Sequence, residues 1–497
     1  MGRTRDYQAG LFNEFEKLNE KLDKLLKENK SQSLTIYNLN LQIGKLNKII
    51  QEKEEKNKKL LEENERLKNQ INKNSSNSSK PSSTNRTMPK KRTGSNTYNY
   101  RTKTSKKVGG QFGHIGHFLS KKYVEELINK KKVDVREFIH IIKGKSKKED
   151  TIKYKLGIEI NPYVEKHIFK YNENSKETLP KEYYTDVTYD NSIKALSIEL
   201  GAYNVISYDR LSDFFEVITA GAIKISNGNL VKILYDFSNK SIPTLKVLEE
   251  DILNSKNNYT DETGTKFNGK NMYVRNYSNE TTVIYKAHKN KGHKPIKEDN
   301  ILTRFCGGIM GDHDTTLHKY GTKNYECNIH LGRYLEELIQ NIQEITWAIK
   351  MKELIFRMNE TRKIAISFGL KRFNKEKIEE YEEEFDNLLE LAKNENKNIK
   401  SSFYKDKANQ LYRRLKKYKK NHLYFIKDFE VPFDNNLSEQ DLRMFKIKTK
   451  ISGGFRSMQA AEHYVNALSI IKTSIKRGIN PFESIKAIFN NQLLFTN

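Results

Sequence analysis

The chain has 497 residues, a length that anticipates about three domains at ~150 residues each. Ninety Lys and Arg against 63 Asp and Glu give a formal charge of +27, an excess that suits a polyanionic partner, nucleic acid above all. Two cysteines, Cys306 and Cys327, exclude a disulfide scaffold and any four-cysteine zinc site. No run of about 18 apolar residues is present to span a membrane, and the polar opening carries no secretory signal, so a cytoplasmic protein is expected.

Residues 11 to 71 keep one seven-residue register. One core set reads Phe15, Leu22, Asn29, Ile36, Ile43, Ile50, Asn57, Asn64 and Ile71; the other reads Leu11, Leu18, Leu25, Gln32, Leu39, Leu46, Lys53, Leu60 and Leu67. Ile in the first set with Leu in the second favours two parallel strands, and a buried Asn fixes register at some cost in stability. The expectation is a homodimeric coiled coil over 11–72; a long helix packed on its own protein is the alternative.

Residues 73–119 form a basic, low-complexity linker. Between Glu65 and Glu125 there is no acidic residue, while 14 Lys and Arg are present. Lys90, Lys91, Arg92, Lys106 and Lys107 belong to an arm expected to bind phosphates without sequence preference. It ends in Gly109-Gly-Gln-Phe-Gly-His-Ile-Gly-His117, whose two histidines are too few for a metal site by themselves.

A leucine-heptad start, an Asn-Ser-Ser-Asn-Ser-Ser-Lys-Pro linker and a Gly-Gly-Gln-x-Gly-His-x-Gly-His segment, in that order, resemble the transposases of the insertion sequence 66 family. The resemblance extends to the C-terminal end. It implies a DDE-class enzyme, with three carboxylates on an RNase H-like fold. Family members usually carry a small zinc-binding module with paired CxxC motifs after the Gly-His segment. Here residues 120–190 contain no cysteine, so a degenerate module, alternating like strands at Val164–Tyr171, and no structural zinc are expected.

Residues 191–250 read as a helical, possibly helix-turn-helix, DNA-binding region. A helix over 207–218 and a turn at Gly221 precede a second helix that Ser226 caps and that runs through Leu234. A plain helical hairpin fits equally well.

Two-metal phosphoryl transfer needs carboxylates from separate segments to hold ions about 4 Å apart. Asp261 stands at the end of a β-prone segment, and Asp261-Glu-Thr matches the family's first carboxylate motif. Strands are expected over 272–277 and 281–287, a helical stretch over 296–304, and a buried strand over 307–311 that ends at Asp312. Asp312 is the second carboxylate, with Asp314 as its understudy. The block Asp434-Asn-Asn-Leu-Ser-Glu439 resembles the family's final motif, with its glutamate at Glu439 and Asp434 as a helix cap. At 100° per residue, Arg443, Lys446 and Lys450 share the Glu439 face, a surface suited to a DNA end. Two Mg²⁺ or Mn²⁺ ions are expected, Asp261 touching both, with Asp312 and Glu439 on one each.

The core is expected over 251–332 and again over 429–497, with C-terminal helices. Residues 333–428 lack proline and contain one glycine, which suits an all-helical insertion. Within it, basic residues from Arg413 to Lys420 follow an acidic run, and Cys327-x-x-His330 at its start reads as packing or support. The fold is thus multidomain α/β. The resemblance implies cutting of transposon ends and joining of 3′-hydroxyls to target DNA, expected in the cytoplasm with the nucleoid and alongside companion proteins of the same element. A catalytically inactive dimeric DNA-binding protein and an RNase H-like nuclease are the rivals.

Overall fold

The computed structural model describes residues 3–74, 77–78, 120–140, 152–170 and 183–496. The basic arm, with Lys90, Lys91, Arg92, Lys106 and Lys107, and the His114–His117 segment lie outside the described residues.

Helix α1 (Arg3–Asn72) is one uninterrupted helix of 70 residues. Its heptad residues Leu18, Leu25, Ile36, Ile43 and Leu60 are exposed in the single chain. One compact unit joins α1 to segments Tyr334–Lys350 and Asn387–Arg414. In it, Asn69 Nδ2 donates to Glu337 at 2.8 Å, Lys407 pairs with Glu337, and Ser401 Oγ donates to Glu65 at 2.6 Å. Among the described residues, these bonds anchor the C-terminal end of α1.

The second unit takes the remaining segments. Ser120 caps α2 (Lys121–Asn129), but the described residues of 130–170 contain no strand. The alternation at 164–170 leaves Val164 and Ile168 exposed, with no described strand beside them to pair with. Asp190 caps α3 (Asn191–Ile198). Helices α4 (Tyr208–Ile218) and α5 (Asn227–Leu253) meet across a turn at Ala220 and Gly221, both at positive φ. They enclose Leu211, Phe215, Ile225 and Leu230 in a small core. The second helix does not stop at Leu234. Its distal half buries Phe237, Leu245, Leu248 and Ile252 in the main core, and that packing carries it through Ser238, Ser241 and Pro243.

A five-stranded mixed sheet follows, built from β1 (Asn257–Phe267), β2 (Lys270–Ser278), β3 (Val283–His288), β4 (Gly308–Gly311) and β5 (Lys323–Glu326), with α6 (His293–Asp299) between β3 and β4. The order is β3-β2-β1-β4-β5; β1 to β3 are antiparallel, and β4 and β5 run parallel to β1. Strand β1 extends past Asp261, which lies mid-strand rather than at an end. A Cβ at Gly308 would stand 2.4 Å from the Tyr325 ring, so β4 needs glycine to lie this close to β5.

From β5 the chain is helical through α7 (Asn328–Asn341), α8 (Thr346–Ser367), α9 (Lys375–Glu395), α10 (Ser402–Lys417) and α11 (Lys419–Lys427). It returns to the sheet as α12 (Asn436–Ser452), α13 (Met458–Lys476) and α14 (Pro481–Phe489). Phe445 of α12 and Leu468 and Ile471 of α13 share one core with Val274, Tyr277 and Ile284 of the sheet. Both sheet edges are covered. Thr473 Oγ1 and Ser469 Oγ of α13 accept the outward N–H groups of Val283 and Tyr285 at 3.1 and 3.0 Å. On the opposite edge, Asn421 Nδ2 of α11 donates to the Asn324 carbonyl at 2.8 Å.

Candidate active site

The sheet register brings the first two acids together. Tyr259 of β1 faces Met310 of β4 in a parallel pair, so two residues further on Asp261 comes level with Asp312. Asp312 leaves the C-terminal end of β4, where open α/β sheets bind their ligands, and Asp261 stands beside it within β1. Burial and the neighbouring Asp312 charge push the Asp261 carboxyl up to about 6, against the pull of Lys446 and of the Glu262 N–H. Asp314 lies apart from this pair. The Thr316 N–H at 2.9 Å and Arg275 at 3.3 Å overcome its burial and hold its carboxyl below the usual range.

The third acid enters on the first turn of α12. Glu439 is half-buried, and the Asp434 carboxylate, just outside the helix, accepts the Asn436 N–H at 3.0 Å. His330 stands between Asp312 and Glu439. Its Nδ1 is 3.2 Å from Asp312 Oδ1 and its Nε2 is 3.6 Å from Glu439 Oε1. The path through the ring limits those two oxygens to roughly 9 Å apart, about what two metal–oxygen bonds and a ~4 Å ion pair would span. Arg333 Nη1, a donor only, lies 2.9 Å from Nε2 and 3.6 Å from Glu439. Nδ1 also lies 3.3 Å from Cys327 Sγ, and against the cost of burial the Cys327 and Asp312 contacts hold the imidazole well above its ordinary value.

Two buried asparagines tie these elements together. Asn435 Nδ2 donates to the Thr260 carbonyl at 2.9 Å and to Asp312 Oδ1 at 3.1 Å, while its own carbonyl accepts the Glu439 N–H at 3.1 Å. Asn276 Oδ1 accepts the Asp261 N–H at 3.0 Å and Ser438 Oγ at 2.8 Å. Its Nδ2 donates to Ser278 Oγ at 3.0 Å and to the Ser438 carbonyl at 3.3 Å. Beside the acids opens a cleft of about 390 Å³ whose lining includes Asp261, Asp312, Arg275 and Lys291. Arg275 is buried and also pairs with Glu262 at 3.0 Å.

Arg443, Lys446 and Lys450 are exposed on α12, and Lys446 lies close enough to act on Asp261. In the basic run further upstream, Lys419 pairs with Asp386 at 2.7 Å, while Arg413, Lys416, Lys417 and Lys420 are exposed. The roles of Asn276, Asn435 and Arg333 have little sequence signature. Arg333 carries one signal that sequence offers, its spacing of three from His330 on one helix.

A model of the family described as Transposase IS66 family matches residues 187–463, more than half of the chain. The chain belongs to the IS66 transposase family. Asp261, Asp312, His330 and Glu439 all fall inside the matched span of this transposase, whereas α1 and the basic arm precede it. No curated protein matches the chain. Among the described residues of the transposase, no helix is long and apolar enough to cross a membrane.

The donor set suits a hard divalent cation. Three carboxylates from three elements supply oxygen ligands, and the burial and Asp312 charge that raise Asp261 are costs of the kind a bound cation offsets.

Proposed function

We propose that this chain is a DDE transposase that cuts transposon ends and joins the released 3′-hydroxyls to target DNA, on an RNase H-like core formed by the five-stranded sheet with α12 and α13. The sheet order supports that fold. The observation that carries the proposal is the convergence of Asp261, Asp312 and Glu439 from β1, the β4 exit and α12 around a single histidine.

Asp261, Asp312 and Glu439 would hold two Mg²⁺ or Mn²⁺ ions, which supply charge stabilisation for the attacking and leaving oxygens of phosphoryl transfer. Asp312 is preferred to Asp314 because Arg275 already neutralises the latter. His330 and Asn435 orient Asp312, and Asn276 fixes the Asp261 backbone. Arg443, Lys446 and Lys450 present cations to the phosphates of a DNA end, and the arm with Lys90, Lys91, Arg92, Lys106 and Lys107 adds affinity without sequence preference. The exposed heptad face of α1 pairs with a second copy of the chain as a parallel coiled coil.

The test is incubation of the full chain with duplex carrying the inverted repeat that flanks its gene, in Mg²⁺ or Mn²⁺. Metal-dependent nicking at the repeat boundary is expected, lost in Asp261→Asn, Asp312→Asn and Glu439→Gln with binding retained. Binding without nicking would favour the inactive DNA-binding reading, and cleavage confined to RNA–DNA hybrid would favour the nuclease.

A further inference from the structure

A second group of metal-ligating side chains lies beside the acids. His313 follows Asp312 directly, Glu326 ends β5 just before Cys327, and His422 belongs to α11. One ligand atom from each lies within 4.8 Å of the other two. Glu326 is 2% exposed and His422 is 0% exposed. His313 Nε2 stands 3.5 Å from Glu326 Oε2, close to the roughly 3.4 Å that separates two ligands on one ion with bonds of about 2.0–2.1 Å.

The groups around this trio hold it in ligand geometry. The other Glu326 oxygen, Oε1, is bonded to His318 Nε2 at 2.9 Å. Asn328 Nδ2 donates to the His422 carbonyl at 3.1 Å, which turns Asn328 Oδ1 toward His422 Nδ1 at 2.9 Å. Nδ1 therefore carries the ring hydrogen, and Nε2 is the acceptor nitrogen of His422, the arrangement that outer partners impose on metal-ligating histidines. His313 and His422 meet edge to face, with ring centroids 5.3 Å apart. His313 also takes a left-handed backbone turn, φ 57°, a conformation that surrounding structure must hold for a non-glycine residue.

We propose that His313, Glu326 and His422 bind one Zn²⁺-class ion, with water completing the coordination, at a structural site separate from the three acids. Two imidazoles and a carboxylate suit zinc rather than magnesium. This proposal departs from the expectation of no structural zinc, which rested on the cysteine-free module at 120–190 and on the sequence spacing of the histidines. Such an ion ties the β4 exit, the end of β5 and α11 into one knot. It would thereby fix Asp312 and the Cys327–His330 turn from behind, across the helical insertion. The inference stands independently of the DNA chemistry proposed above.

The experiment uses the full chain, stripped with chelator and titrated with Zn²⁺ in excess Mg²⁺, which occupies hard oxygen sites. One equivalent should bind and raise the unfolding temperature. Glu326→Gln and His422→Ala should weaken binding by about 100-fold or more; Cys327→Ser and Asp261→Asn should retain it. Should the two ligand variants fail to fold, Co²⁺ in the wild-type chain decides. Tetrahedral visible absorption without thiolate charge transfer supports the site. Absence of binding, or a thiolate band lost in Cys327→Ser, overturns it and moves any metal to Asp312, Cys327 and His330.

Discussion

Replacing Asn276 with Leu keeps approximate volume but removes every polar contact that the side chain makes. The residue is fully buried, and its amide meets the Asp261 N–H, Ser438 Oγ, Ser278 Oγ and the Ser438 carbonyl. The two hydroxyls can rotate to new partners and the Ser438 carbonyl keeps its bond within α12; the Asp261 N–H cannot turn elsewhere. Each buried group left unsatisfied costs about 1–3 kcal/mol, so a loss of about 3–5 kcal/mol is expected once the severed bonds are included. Because these bonds tie the strand of Asp261 to the helix of Glu439, a shift of ~1 Å between the acids should lower end cleavage by about 100-fold. Ser278→Ala breaks only one of the bonds and should cost about 1 kcal/mol with cleavage intact. Scanning calorimetry together with metal-dependent nicking, normalised to folded protein, reads both effects. Wild-type stability in Asn276→Leu would refute the hydrogen-bond accounting. Reduced stability with undiminished cleavage would refute the claim that Asn276 positions the acids.

Replacing Asn29, Asn57 and Asn64 together with Val should raise the melting temperature of the α1 pair and broaden its oligomeric states, as read by sedimentation; a wild-type segment monomeric at tens of micromolar would contradict the zipper. Arg443→Ala should weaken binding to end DNA and reduce the slope of log affinity against log salt by about 1, measured by fluorescence anisotropy. Arg275→Met should destabilise the chain by about 1–3 kcal/mol, because it removes the buried cation that Glu262 and Asp314 share and leaves Glu262 only the exposed Lys291 at 3.3 Å, and Glu262→Gln in the same chain should recover part of the loss in a denaturant titration. Asp261→Asn removes a buried charge facing Asp312, so calorimetry of the metal-free protein should show a gain of about 1–3 kcal/mol even as nicking is lost.

The strands β1 to β3 were legible because alternation acts locally, although the sequence reading ended β1 at Asp261 and the strand runs on to Phe267. Strand β5 was not, since Lys323-Asn-Tyr-Glu326 alternates too briefly and becomes a strand only by lying parallel to β4. The end of α5 was misplaced for a related reason. Ser238-Asn-Lys-Ser-Ile-Pro243 reads as a loop, yet Ser238 and Ser241 are buried and the helix is held by Phe237 and Leu248 in the main core. Asp261 and Glu439 stood out through blocks that resemble the family's motifs, and Asp312 through the short apolar strand that ends at it. Asn276 and Asn435 did not, because an asparagine that satisfies buried backbone looks the same in sequence as one in a turn. His313, Glu326 and His422 are separated by up to 109 positions, so only the fold assembles them.

The hydroxyls that close the outer edge of β3 come from Ser469 and Thr473, near the far end of the chain. At 5–20 residues per second, the roughly 190 residues between the end of β3 and the end of α13 take about 10–40 s to synthesise. Throughout that interval the Val283 and Tyr285 amides point outward from a finished strand with only water to receive them, a template for pairing with another chain. A copy truncated before Ser469 keeps that edge for good. Truncated products of the gene should therefore be found as insoluble aggregates, and not as soluble inhibitors that compete with the intact protein for DNA.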